Sequence, residues 1–248
     1  MSLTYAIADL HGRDDLAAAA FEAIVAHAGA NSATIVALGD YVDRGPHSRQ
    51  LIERLMRGAP RAGDRLICLK GNHEEMMEQT LAGMHRPDWW IGNGGDATLA
   101  SYGRHPELGY LPGIVPQEHR DWIAGLPLIH VDVHRIFVHA GVDPDRPLGE
   151  QRSDVLLWKR YDHRDERGHG RRHVVHGHTP NETGPLLLAA RTALDTLAVA
   201  TGRLVIAAFD DARAGAPVAR LEVRAAPSPD WLNRVQRLPP FRALTEDR

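Results

Sequence analysis

Five short polar clusters each follow an apolar run: Asp9-Leu10-His11-Gly12, Gly39-Asp40-Tyr41-Val42-Asp43-Arg44-Gly45, Gly71-Asn72-His73-Glu74, His139-Ala140-Gly141 and His176-Gly177-His178. Asp9, His11, Asp40, Asn72, His139 and His178 together offer carboxylate, imidazole and amide oxygen donors, with no thiolate. That mixture suits manganese, iron or zinc and fits soft-metal sites poorly. Six protein ligands are too many for one catalytic ion that must keep open positions. They suit two divalent ions if one carboxylate bridges. Paired ions about 3.5–4 Å apart are the usual device for in-line displacement at phosphorus.

Neighbouring residues then find tasks. His73 follows a ligand directly and could protonate a leaving alkoxide, with Asp43 orienting its ring and raising its pKa by opposite charge. Arg44 can fork onto phosphate oxygens. Glycines 12, 39, 45 and 71 allow tight turns in which adjacent side chains converge.

Such a site needs elements that bring its clusters to one edge of a sheet, where open α/β folds place their ligands. The pattern supplies them. Strands are expected over Leu3–Asp9, Ala33–Leu38 and Arg65–Lys70, alternating with helices over Arg13–Ala28, Ser48–Met56 and Glu74–Leu81, Ser48 acting as a cap. Asp9, Asp40 and Asn72 recur about 30 residues apart, the span of a βαβ unit. A helix is expected over Gln117–Leu126, ended near Gly125. From Leu128 the pattern is β, with strands over Leu128–Val133, Arg135–His139, Val174–His176, Thr192–Asp195, Arg203–Phe209 and Val218–Val223. Residues 1–225 read as a single domain, with 84–113 a helical and loop cap insertion and 226–248 a proline-rich C-terminal tail.

Composition bounds the rest. The 248 residues carry a net charge of −3, which argues against a nucleic-acid duplex or a membrane surface as partner. The one cysteine, Cys68, excludes an intramolecular disulfide and a thiolate zinc cluster, and its apolar surroundings make it a small core residue. No apolar run is long enough to span a membrane. The N-terminus enters a strand without a basic, then apolar leader, so a cytoplasmic location is expected.

The five clusters resemble the motifs of the calcineurin-like metallophosphoesterases, and more narrowly the phosphoprotein phosphatase branch of bacterial serine/threonine type. The resemblance runs from about Leu3 to Phe209. It implies two mixed β-sheets packed as a sandwich flanked by helices. It implies that Asp9 and His11 bind one metal, that Asp40 bridges, and that Asn72, His139 and His178 bind the second. It implies His73 as general acid with Asp43, and Arg44 and Arg160 (the latter following Trp158) as phosphate-binding residues. Two departures stand out. His176 occupies a position that is often apolar in relatives and reads as a structural histidine rather than a ligand. Leu194-Asp195-Thr196-Leu197 lacks the glycine that relatives show after the threonine.

The expected activity is hydrolysis of phosphomonoesters, on a phosphorylated protein or a small phosphate ester, by in-line attack of a metal-bridging hydroxide. Manganese is the first expectation for the ions. A bis(5'-nucleosyl)-tetraphosphatase-like hydrolase of dinucleoside polyphosphates is the alternative, because its symmetrical members resemble this chain in length and in the Arg44-Gly45-Pro46-x-Ser48 turn. A non-catalytic phosphate-binding protein is remote, since no ligand and no His73 is lost. Trp89-Trp90 fit equally a substrate platform or core anchors, and the 159–173 segment a solvated loop. The sequence is silent on oligomeric state.

Overall fold

A computed structural model describes residues 2–103, 112–162 and 164–227. Most of the expected tail and part of the expected cap, 104–111, lie outside the described residues.

Two five-stranded mixed sheets carry the fold. The first has the order β10-β9-β1-β2-β3 and the second β4-β5-β6-β8-β7. In the first, β1 (Leu3–Ile7), β2 (Ala33–Ala37) and β3 (Arg65–Cys68) run parallel, joined by α1 (Asp14–Ala28) and α2 (Ser48–Met56). β9 (Arg203–Asp210) and β10 (Ala219–Arg224) complete it antiparallel. In the second, β5 (Arg135–Val138), β6 (His173–His176) and β8 (Arg191–Ala193) are parallel, with β4 (Ile129–Val131) and β7 (Leu186–Leu187) antiparallel at the edges.

Strand alternation sorts the apolar side chains into layers. Tyr5 and Ile7 of β1, Ile35 and Ala37 of β2, and Leu204, Ile206 and Ala208 of β9 face outward onto Leu16, Ala20 and Ile24 of α1. The alternate residues Ala6, Val36, Ala207 and Phe209 face inward and meet Phe137 and Val175 of the second sheet. The other face of that sheet, Ile136, Val138 and Val174, packs with Leu156 of α7 (Ser153–Trp158). Small side chains on one sheet opposite Phe137 and Phe209, whose rings meet edge-on at 6.0 Å, let the sheets approach closely. This is the expected sandwich.

The strand and helix expectations hold within a few residues, and the differences have local causes. The third helix, α3, spans Asn72–Leu81 and starts two residues earlier than expected, on the metal-ligand candidate itself. Ser48 is the first helical residue rather than the cap, and its hydroxyl instead accepts the Asp43 N–H at 3.2 Å. Within the expected β half, α7 and the short α8 (Ala198–Thr201) are helical; each is too brief to show a helical period. Between α3 and α6 (Gln117–Ala124) lie α4 (Pro87–Trp90), a π-turn and α5 (Asp96–Ser101). They are fastened to the body by a core of Trp90, Leu99 and Tyr102 with Val42, Ile52, Met76 and Met77.

Candidate active site

The polar clusters occupy the C-terminal exits of β1, β2, β3, β5 and β6, all parallel within their sheets. Turns at these exits are cross-linked. The N–H groups of His11 and Gly12 bond Asp40 O and Tyr41 O at 2.8 and 2.7 Å, and Gly177 N–H bonds His139 O at 2.8 Å. Of the seven non-glycine residues with positive φ among the described residues, six are Asp9, His11, Asp40, Asp43, Arg44 and His178. Each such conformation costs about 1–3 kcal/mol and persists only where surrounding bonds over-determine it.

Glu74 supplies much of that determination. Its carboxylate accepts N–H bonds from Gly71 and Asp40 at 2.8 Å each, from Tyr41 at 2.8 Å and from Val42 at 3.2 Å. One buried side chain therefore clamps the β2 exit onto the first turn of α3. Its spacing after Gly71, at the third helical position, is half of a capping box and was the legible signal for this role.

The histidine tautomers are set by backbone carbonyls. His11 Nδ1–H donates to Val42 O and His139 Nδ1–H to Leu38 O, both at 2.9 Å, so each Nε2 presents a lone pair. His11 Nε2 stands 3.5 Å from Asp40 Oδ2. His139 Nε2 stands 3.4 Å from Asp40 Oδ1 and 2.9 Å from Asn72 Oδ1. His178 Nδ1 lies 3.0 Å from the same Asn72 oxygen, and its buried Nε2 has no hydrogen-bond partner. Acceptors thus converge on acceptors in a buried site, an arrangement that a cation satisfies and that neutral hydrogen bonding does not. Two groups have donor atoms within 4.8 Å of one another: His11, Asp40 and His73, and Asp40, His139 and His178. Asp40 belongs to both, as a bridging carboxylate must. The residues fit a pair of divalent ions. Asp9 stands beside these groups rather than in either; both its oxygens accept the His178 N–H at 3.1 Å. A Cβ on Gly177 would collide with that carboxylate.

Electrostatics agree. Burial, then the charges of Asp195 and Asp40, push the Asp9 carboxyl well above its usual range. Burial takes Asp40 up to about 7. Burial depresses His11, with Arg44 adding to the effect, and takes His139 down to about 4. Carboxylates reluctant to ionise beside imidazoles reluctant to protonate make a site short of positive charge. Asp195 lies at the exit of a further parallel strand, β8, and is buried among these groups. In the sequence only its place at a strand exit marks it.

His73 and Asp43 pair as expected, Nδ1 to Oδ2 at 2.7 Å. Asp43 is fully buried, and also accepts from Trp90 Nε1 at 2.9 and 3.0 Å and from Thr98 Oγ1 at 2.7 Å. Nothing in sequence spacing marked Trp90 or Thr98 for this. The pKa expectation reverses: burial, then the Arg44 charge, holds His73 well below the usual histidine range, and burial pushes Asp43 up. Arg44 spans the two histidines, one N–H group 2.7 Å from His11 Nε2 and another 2.9 Å from His73 Nε2. Arg160 is exposed at the rim, close enough for its charge to lower the Asp40 and Asp195 carboxyls and to oppose protonation of His178. His176 stands apart from the ligands, bonded to Gly177 O and to Arg191 at 3.0 Å each and facing Tyr161, as a structural histidine would.

The family model described as calcineurin-like phosphoesterase matches residues 3–208. The chain belongs to that family. It is 34% identical over 172 residues to an uncharacterised protein of Schizosaccharomyces pombe, covering 62% of this chain and 48% of that one. It is 35% identical over 85 residues to the symmetrical bis(5'-nucleosyl)-tetraphosphatase of Acidovorax ebreus, covering 34% of this chain and 27% of that one. The chain therefore spans about half, or less, of the curated relatives it matches. Among solved structures, a candidate diadenosine tetraphosphatase superposes with a TM-score of 0.62 at 21% identity, covering 90% of this chain and 94% of that one. A Saccharomyces cerevisiae protein serine/threonine phosphatase superposes with a TM-score of 0.57 at 14% identity, covering 92% and 82%. At these identities the likeness is one of fold. No helix among the described residues is long and apolar enough to cross a membrane.

Proposed function

We propose that the protein hydrolyses phosphomonoesters, as a phosphatase related to the bacterial serine/threonine type, with two divalent ions held by Asp9, His11, Asp40, Asn72, His139 and His178. Manganese, iron or zinc would suit these donors and would supply charge neutralisation and an activated water. Arg44 forks onto the phosphate oxygens. The same N–H groups that face His11 Nε2 and His73 Nε2 would then turn to substrate, freeing His73 Nε2 to face the leaving oxygen. Water attacks phosphorus in line and gives up a proton, and the bond from phosphorus to the leaving oxygen breaks. His73, charged on Nε2 once the phosphate anion is bound and Arg44 has turned to it, passes that Nε2 proton to the leaving oxygen and regains one from the attacking water, while Asp43 holds Nδ1–H. Arg160 adds positive charge at the rim.

The observation that carries this reading is the Asp43–His73 pair, buried and completed by Trp90 and Thr98. An alkoxide is a poor leaving group and needs an acid, whereas a nucleotide phosphate leaves without much help. A panel of a phosphoserine peptide, an alkyl phosphate and diadenosine tetraphosphate, assayed with metal analysis of the same preparation, tests it. Turnover of the tetraphosphate alone would sink the monoesterase reading. That result would establish the second reading, hydrolysis of dinucleoside polyphosphates, which the similarity to the Acidovorax ebreus enzyme supports.

A further inference from the structure

Two of the few large apolar side chains exposed among the described residues are tryptophans, and they meet. Trp89 of α4 is 37% exposed and Trp158 of α7 is 36% exposed. Their rings are near-parallel, with centroids 6.1 Å apart and planes 22° apart. They come from helices far apart in sequence. The neighbouring Trp90 behaves differently: it is fully buried and spends its N–H on Asp43. Trp158 begins the row, its ring edge-on to His178 at 6.4 Å. Its Nε1–H donates to Glu75 Oε2 at 2.7 Å, which fixes the ring against α3, the helix that carries His73. Beyond Trp89 the row continues to His85, at 4.9 Å. A shelf of aromatic rings thus leads from the ligand cluster out to the exposed His85, with Arg160 two residues after Trp158.

We infer that Trp158 and Trp89 form a leaving-group subsite that stacks a nucleobase, so that the substrate class is a nucleoside phosphate. This deepens the phosphoesterase reading and rests on it. Stacking on indole faces tolerates any base, because every base presents a π-face. The direction of the shelf selects a nucleobase over a phosphotyrosyl ring. The tyrosyl ring is joined to phosphorus through a single oxygen and stays beside the metal ligands. A nucleobase is held off by its ribose and reaches the second indole. The Arg44 and Arg160 charges at the near end suit the phosphates of such a substrate, whether one or several.

Adenosine 5'-monophosphate and ribose 5-phosphate differ only in the base, and they test the shelf on the full chain with added Mn²⁺. Wild type should prefer the nucleotide in kcat/KM, and Trp89→Leu should lower that preference by about tenfold or more. Equal kcat/KM for both compounds in wild type overturns the shelf while leaving the phosphoesterase reading intact. Binding is followed separately, by tryptophan fluorescence of the metal-free protein. Saturable quenching by the nucleotide, weakened in Trp89→Leu and absent with ribose 5-phosphate, supports the shelf even if neither compound is hydrolysed. In that case it is the monoesterase reading that fails. Quenching that is alike for both compounds overturns the shelf. Diadenosine tetraphosphate, run beside them, separates the two sources of the base: preference for it assigns the shelf to a polyphosphate, and preference for the monophosphate assigns it to a monoester.

Discussion

The floor of the site and its rim are built in opposite ways. On the floor, the residues at the strand exits are buried, held in costly backbone conformations and tied by short bonds to carbonyls and N–H groups of neighbouring turns. In His11 and His139 the imidazole nitrogen that faces the cluster does so because the opposite nitrogen is bonded to a backbone carbonyl. At the rim, Trp89, Trp158 and Arg160 are exposed and come from short helices and their ends. A geometry fixed to fractions of an ångström suits chemistry shared by all phosphate esters. A lightly held rim suits recognition of whatever carries the phosphate.

If that division is right, losses should be largest at the floor. Asp40→Asn removes the shared carboxylate, and kcat/KM with Mn²⁺ should fall by about 10³-fold or more, as expected for several kcal/mol of lost charge stabilisation. Calorimetric titration with Mn²⁺ should show weakened binding in the same variant, and full-strength binding would remove Asp40 from the centre. Next in size, Asp43→Asn should slow alkyl esters by about 10²-fold and slow aryl esters with good leaving groups much less. Equal slowing of both would break the acid assignment.

Residues joining rim to floor should give intermediate effects. Trp90→Phe keeps the buried ring but removes the N–H that Asp43 accepts; kcat for alkyl esters should drop about tenfold, as for other orienting partners. Gly94 has φ 108°, its carbonyl accepts the Arg44 N–H at 3.1 Å, and a Cβ there would stand 2.8 Å from Arg44 Cγ. Gly94→Ala should raise KM about fivefold, roughly 1 kcal/mol of phosphate contact, with little change in kcat. A fall in kcat alone would mean that the cap bears on His73 rather than on Arg44.

The smallest effect should lie away from both regions. His173 accepts or donates to Thr192 Oγ1 at 2.8 Å, and burial, then Arg135, lowers it from 6.5 to about 4. A base whose pKa is lower when folded stabilises above its unfolded value and loses that contribution as pH falls. Its share of stability is therefore complete above about 6.5 and fades as pH drops through about 4. Urea midpoints measured between those limits should fall less steeply with pH in His173→Gln than in wild type. Identical slopes would show that His173 does not titrate on unfolding.

Much of the floor was legible because its chemistry is local in sequence. An apolar run followed by Asp-x-His or Gly-Asn-His-Glu names both a strand and the donors at its exit, and the βαβ spacing predicts that the exits share an edge. The clamp by Glu74 and the presence of Asp195 at the β8 exit were only half legible. Their contacts join segments about 30 residues apart or more, and a side chain's partner across such a gap leaves no periodic trace. The reversal at His73 has the same origin. Sequence places Asp43 nearby and suggests a raised pKa, but only packing reveals that burial and Arg44 outweigh the carboxylate.

The sequence alone determined the alternation of strands and helices, the strand exits as the site, and the donor types that call for divalent ions. Those follow from hydrophobic periodicity and from side-chain chemistry, both carried by individual residues and near neighbours. Tertiary structure decided which nitrogen of each histidine faces the centre, that Trp90 completes Asp43 while Trp89 turns outward to Trp158, and how strongly each charge is held. These depend on burial and on contacts between distant segments, quantities that exist only once the chain has folded.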